Sequence, residues 1–62
     1  MKRYVLQSPD GKWAAYNIGH GPWITDNRNW RYEWDTEAEA QAQRPLYESA
    51  LLVKLSVEEV QS

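Results

Sequence analysis

Asp35-Thr36-Glu37-Ala38-Glu39-Ala40-Gln41-Ala42-Gln43-Arg44 is the stretch that decides the fold. It is the clear helix start in a chain whose other patterned segments read as strands. Thr36 can accept from the first free N–H groups of a helix, and Glu39, three residues on, can reach back to form a capping box. Glu37 and Glu39 also suit the positive end of the helix dipole. Pro45 disfavours helical geometry at Arg44, so the reading gives a helix over about 37–44. Two turns cannot stand alone and must pack on something. Ala38 and Ala42, four apart, form a small flat face on which the helix could lie close to a sheet.

Upstream lies a hairpin. Residues 2–7 alternate, with Tyr4 and Leu6 on one face and Arg3, Val5 and Gln7 on the other. Ser8-Pro9-Asp10-Gly11 is a turn in which proline presets φ, Asp bonds nearby backbone and Gly accepts a positive φ. Residues 12–18 then form a second strand, with Trp13 and Ala15 opposite Ala14, Tyr16 and Ile18. Gly19-His20-Gly21-Pro22 breaks the pattern as a loop. Trp23-Ile24-Thr25 is extended but short, and Asp26 to Trp30 is turn-like, with a helical turn begun by Thr25 or Asp26. A third strand is expected over 31–34, with Tyr32 and Trp34 on one face.

Downstream, Leu46 and Tyr47 anchor a connection. A fourth strand is read over 50–57, where Leu51, Val53, Leu55 and Val57 alternate with Leu52, Lys54 and Ser56. The competing reading is a helix, because Tyr47, Leu51 and Leu55 are spaced by four. Ser56-Val57-Glu58-Glu59 could cap a last helical turn. The expectation is an α+β fold: one domain over 1–62, a small antiparallel sheet of three to four strands, and one helix on one face.

Sixty-two residues with no cysteine give no disulfide framework and no thiolate metal site. Four Trp and four Tyr supply the bulk instead. No run is long and apolar enough to span a bilayer, and Met1 to Val5 lacks an apolar leader, so a cytoplasmic location with no membrane partner is expected. The net charge of -2 is uneven. Residues 1–31 carry five cations against Asp10 and Asp26, while 32–62 carry Arg44 and Lys54 against seven carboxylates. The acidic part reads as solvated helix and tail, or as a surface for a basic partner.

The chain resembles a loose group of very small proteins of bacteriophage and prophage genomes. The resemblance rests on Tyr4-Val5-Leu6, Asp10-Gly11-Lys12-Trp13, Trp23-Ile24-Thr25-Asp26-Asn27, Trp34-Asp35-Thr36 and Glu37-Ala38-Glu39-Ala40. It departs at Gly19-His20-Gly21-Pro22 and at Trp30. What it implies is an accessory protein that acts by binding and modulates or inhibits a host protein or complex.

Little in the sequence offers chemistry. His20 is the single histidine and lies between glycines, without the further nitrogen or sulfur ligands that zinc favours. No serine sits in a nucleophile elbow, no glycine-rich phosphate loop is present, and Glu37 and Glu39 face different ways on a helix. No catalytic residue, metal site or cofactor is expected, and the chain is read as a non-enzymatic protein-binding module. Its candidate contact residues are Trp23, Arg28, Trp30 and Arg31 in the loop region, and Glu37, Gln41 and Arg44 on the helix, because Trp, Tyr and Arg dominate protein interfaces. An open sheet edge or a homodimer is the related alternative. The other alternative is a single-stranded nucleic-acid binder using Arg28, Trp30, Arg31 and Tyr32. It ranks lower because phosphate contacts dominate such affinity and the net charge is negative.

Overall fold

A computed structural model describes residues 1–61; Ser62, the last residue of the expected domain, lies outside the described residues. The order is β1 (Lys2–Gln7), β2 (Trp13–Asn17), β3 (Gly21–Thr25), a 3-10 turn (Arg28–Trp30), α1 (Glu37–Leu51) and β4 (Ser56–Gln61). The four strands form an antiparallel sheet in the order β3-β2-β1-β4, with α1 packed on one face. The expected α+β architecture is therefore present.

The first hairpin forms as its turn chemistry dictates. Gly11 N–H donates to the Ser8 carbonyl at 3.0 Å, and Gly11 takes φ +88°, where a Cβ would be strained. The buried Ser8 hydroxyl donates to Asp10 and accepts from Lys12 N–H at 3.2 Å.

β1 and β2 are in register at Gln7–Trp13 only. The gap beyond is entered by the chain around Tyr32–Trp34. Tyr32 N–H donates to the Ala14 carbonyl at 3.0 Å, and Trp34 exchanges two bonds with Tyr4, at 2.8 and 2.9 Å. The strand expected over 31–34 thus reduces to a bridge wedged between two strands. Tyr32 and Trp34 do share a face, with ring centroids 4.6 Å apart. The third strand is Gly21–Thr25, fully in register with β2 from Asn17–Gly21 to Trp13–Thr25. The expected loop 19–22 shrinks to the turn at 18–20, because Gly21 resumes pairing with a positive φ of 88°.

The helix is capped by Thr36 as expected, while Glu39 reaches back to the Thr36 hydroxyl rather than to its backbone N–H. Thr36 Oγ1 accepts from Glu39 N–H and donates to Glu39 Oε1, both at 3.1 Å. It does not stop before Pro45; it runs to Leu51 and carries Pro45 inside. Proline removes one backbone donor there. The loss is offset because Ala40, Tyr47 and Leu51, at helical spacing, all pack into the sheet's core. The face that packs is this one, whereas Ala38 and Ala42 are exposed. Leu46 is likewise exposed on the helix rather than anchoring a connection. Residues 50–57 are therefore not a strand. The helix ends at Leu52, which is left-handed at φ 57° and donates to the Glu48 carbonyl at 2.8 Å. The final strand starts at Ser56, so Ser56 to Glu59 pair with β1 and cap no helix.

The core between sheet and helix holds Leu6, Ala14, Trp34, Ala40, Tyr47 and Leu55. Trp34 meets Tyr47 edge to face at 5.6 Å. Burial pushes the Tyr47 hydroxyl pKa up, with the neighbouring Tyr32 and Tyr16 adding to the effect. Val5 and Ala15 are also fully buried but belong to the opposite face, since successive strand residues alternate. That face is where the candidate site lies.

Candidate functional site

Trp13 and Trp23 follow the alternation onto the face away from the helix, because their neighbours Ala14 and Ile24 pack into the helix-side core. The chain leaving β3 folds back over this face. Thr25 Oγ1 accepts from Asn27 N–H at 3.0 Å, Asn27 Oδ1 accepts from Asn29 N–H at 2.9 Å, and Trp30 N–H donates to the Asn27 carbonyl at 3.0 Å. Short polar side chains stand in for backbone partners and fix the turn. The turn expected to begin at Thr25 or Asp26 is in fact capped by Asn27.

This scaffold sets Trp30 against Trp23, with centroids 5.9 Å apart and planes tilted by 50°. Trp30 remains 61% exposed, the most exposed aromatic of the chain. The two rings, with Tyr16 and Asn17, line a groove of about 370 Å³. The buried Nε1 of Trp23 has no acceptor, a condition that costs about 1–3 kcal/mol. Past this groove the hairpin tip presents Ile18 at 96% exposure.

A second groove, of about 460 Å³, is lined by Arg3, Arg28, Asn29, Arg31, Tyr32, Glu33 and Gln61. Its cations are not equivalent. Arg31 is buried, stacks 5.1 Å over the Trp13 ring and donates from Nε to Glu33 Oε2 at 3.1 Å. Arg3 donates to the Glu33 carbonyl at 3.2 Å and sits 3.2 Å from Asp35 Oδ1, an ion pair whose Nε lacks a hydrogen bond's alignment. Arg28 is exposed and joins no ion pair among the described residues.

The residues read from the sequence are thus partly gathered. Trp23 and Trp30 meet, while Arg28, Arg31 and Tyr32 share the neighbouring groove. Tyr32 and Trp30 are not one stacking platform, since Tyr32 packs on Trp34 and Trp30 on Trp23. The helix residues stand apart from both grooves. Arg44 donates to Gln41 Oε1 at 3.3 Å and to Glu48 Oε2 at 3.4 Å, and that Glu48 oxygen also accepts from Leu55 N–H at 2.9 Å. This network ties the helix to the approach of β4. Glu37 is exposed in the first turn. Sequence reasoning missed Tyr16 and Asn17 as groove walls and Arg3 as a groove cation. An isoleucine beside Gly19 in a turn was the one available signal for the exposed tip.

His20 lies in the exposed turn after Ile18. Among the described residues no three His, Asp or Glu side chains gather at metal-binding distance, and no helix is long and apolar enough to cross a membrane. No family model, curated protein or solved structure matches the chain.

Proposed function

We propose that the chain is a non-enzymatic protein-binding module that acts through the surface formed by Trp23 and Trp30. The observation that carries this reading is the presentation of Trp30, a large aromatic whose backbone is set by the hydrogen bonds of its turn, whose ring rests against Trp23 and which is left 61% exposed. A ring that already leans on a neighbouring ring loses less freedom on binding than a free one, which is the property of an interface anchor. Arg28, two residues earlier on the same turn and without an ion pair among the described residues, adds a cation beside it. The resemblance to small phage and prophage proteins supplies the setting, in which the partner is a host protein that the module modulates or inhibits.

Single-stranded nucleic acid is the second reading, favoured only by the groove that Arg28 shares with Arg31 and Tyr32. It is the weaker one because Arg31 is committed to Trp13 and Glu33 and Arg3 to Asp35, which among the described residues leaves Arg28 without an ion pair for phosphates that repeat along a strand.

A photo-crosslinking side chain at position 30 tests the first reading. It should yield a discrete protein adduct in host cells, and the same probe at Ala42 on the outer helix face should not. Equal adducts from both positions, or adducts to nucleic acid only, would reject it.

A further inference from the structure

We propose that the outer edge of β4 is a strand-docking site that takes an extended, basic segment of another protein and refuses a second copy of this chain. This is independent of the Trp23–Trp30 surface. The sheet has two edges, β3 and β4. β3 carries Pro22, which has no N–H to offer an incoming strand. β4 is paired with β1 along all six residues, from Gln7–Ser56 to Lys2–Gln61, and contains no proline, glycine or lysine. Among the described residues its other side is an unpaired row of backbone donors and acceptors, the kind of edge on which strands add.

The side chains decide what can add. Glu58 and Glu59 are adjacent, exposed and on opposite faces of the sheet. Among the described residues Glu58 accepts from the Ser56 hydroxyl at 3.1 Å, and Glu59 has a loose contact with Lys2 at 3.7 Å. Two copies joined by a two-fold axis normal to the sheet keep each residue on its own face, so opposed residues must point the same way. Within Ser56–Gln61 that leaves two registers in which more than three residues overlap. One places Glu58 opposite Glu58 of the second copy, the other Glu59 opposite Glu59. Directly opposed like charges destabilise a strand pair. The same pair favours an antiparallel segment with two neighbouring basic residues, one for each face.

Two measurements test this. Amide NMR is recorded while the hexapeptide Thr-Val-Lys-Arg-Val-Thr, or its control Thr-Val-Glu-Glu-Val-Thr, is added. Shifts should concentrate in Ser56–Gln61 with the basic peptide alone, and Glu58→Gln with Glu59→Gln should weaken it roughly tenfold. No β4 shifts, an equal response to the acidic peptide, or undiminished affinity would overturn the docking site. In the second, sedimentation compares wild type with Glu58→Thr plus Glu59→Thr. The variant should move toward a dimer as concentration rises while wild type does not. A variant that stays monomeric, or a wild type that pairs through β4, would overturn the exclusion.

Discussion

Replacing Leu52 by glycine should stabilise this protein. Leu52 ends the helix at φ 57°, the left-handed region that an L side chain enters at a cost of about 1–2 kcal/mol. Its side chain is 90% exposed. Full burial of a leucine is worth about 1.5–3 kcal/mol, so truncation here forfeits only about 0.2–0.3. The extra freedom of glycine in the unfolded chain takes back about 0.5–1 kcal/mol. The net gain at the middle of these ranges is about 0.5 kcal/mol, which for a domain of this size raises Tm by about 2–4 °C. Thermal unfolding followed by far-UV circular dichroism measures it, with Leu52→Ala as the control that keeps the strained φ and gains nothing. The sign separates two chain paths. If 50–57 were a strand, glycine in its interior would weaken it. A lower Tm for Leu52→Gly would refute the left-handed helix end and the chain path built on it.

Further outcomes follow from the same contacts. Thr36→Ala removes the cap on Glu39 N–H and should cost about 1 kcal/mol, a fall of about 4–8 °C in Tm. Trp34→Ala should cost about 3–5 kcal/mol, against a total stability of roughly 3–9 for a chain this long, so the near-ultraviolet dichroism of the native state should be largely lost. Tyr47 gives an alkaline limit: its folded pKa lies above the ordinary 10.0, so its stabilising share is whole below pH 10 and lost as pH rises through the folded value. Tyr47→Phe should flatten that limb of a Tm-against-pH curve, and an unchanged slope would assign the loss to other groups.

Local signals were the legible part of this fold. Ser8 to Gly11 and Thr36 to Glu39 each carry their own hydrogen-bonding logic within four residues; the turn and the Thr36 cap are both present, with Glu39 turned to the Thr36 hydroxyl. What was not legible depends on distant partners. Pro45 argues locally for a stop, yet the helix continues because Tyr47 and Leu51 find the sheet. The four-residue spacing of Tyr47, Leu51 and Leu55 was the correct signal for the first two. Alternation over 50–57 competed with it, since Leu55 is buried beyond the helix rather than on it. Strand pairing was the other loss. Trp23-Ile24-Thr25 looks no more strand-like than Arg31 to Trp34, but Gly21 with its positive φ lets the former fold straight back on β2. At the candidate site the residue types were readable and their division between two faces was not. Trp30 and Tyr32, two apart in sequence, belong to different aromatic pairs because the chain between them passes from the back of the sheet into its wedge.

On the proposed function, Trp30 is a contact and not a core residue. Affinity capture with wild type and Trp30→Ala, each with its Tm measured, separates the two roles. Trp30 retains its Trp23 contact over less than half its surface, so the change should cost about 1–2 kcal/mol and leave the protein folded. The folded variant should lose a protein that wild type retains. A folded variant that captures the same protein in undiminished amount would contradict the contact role.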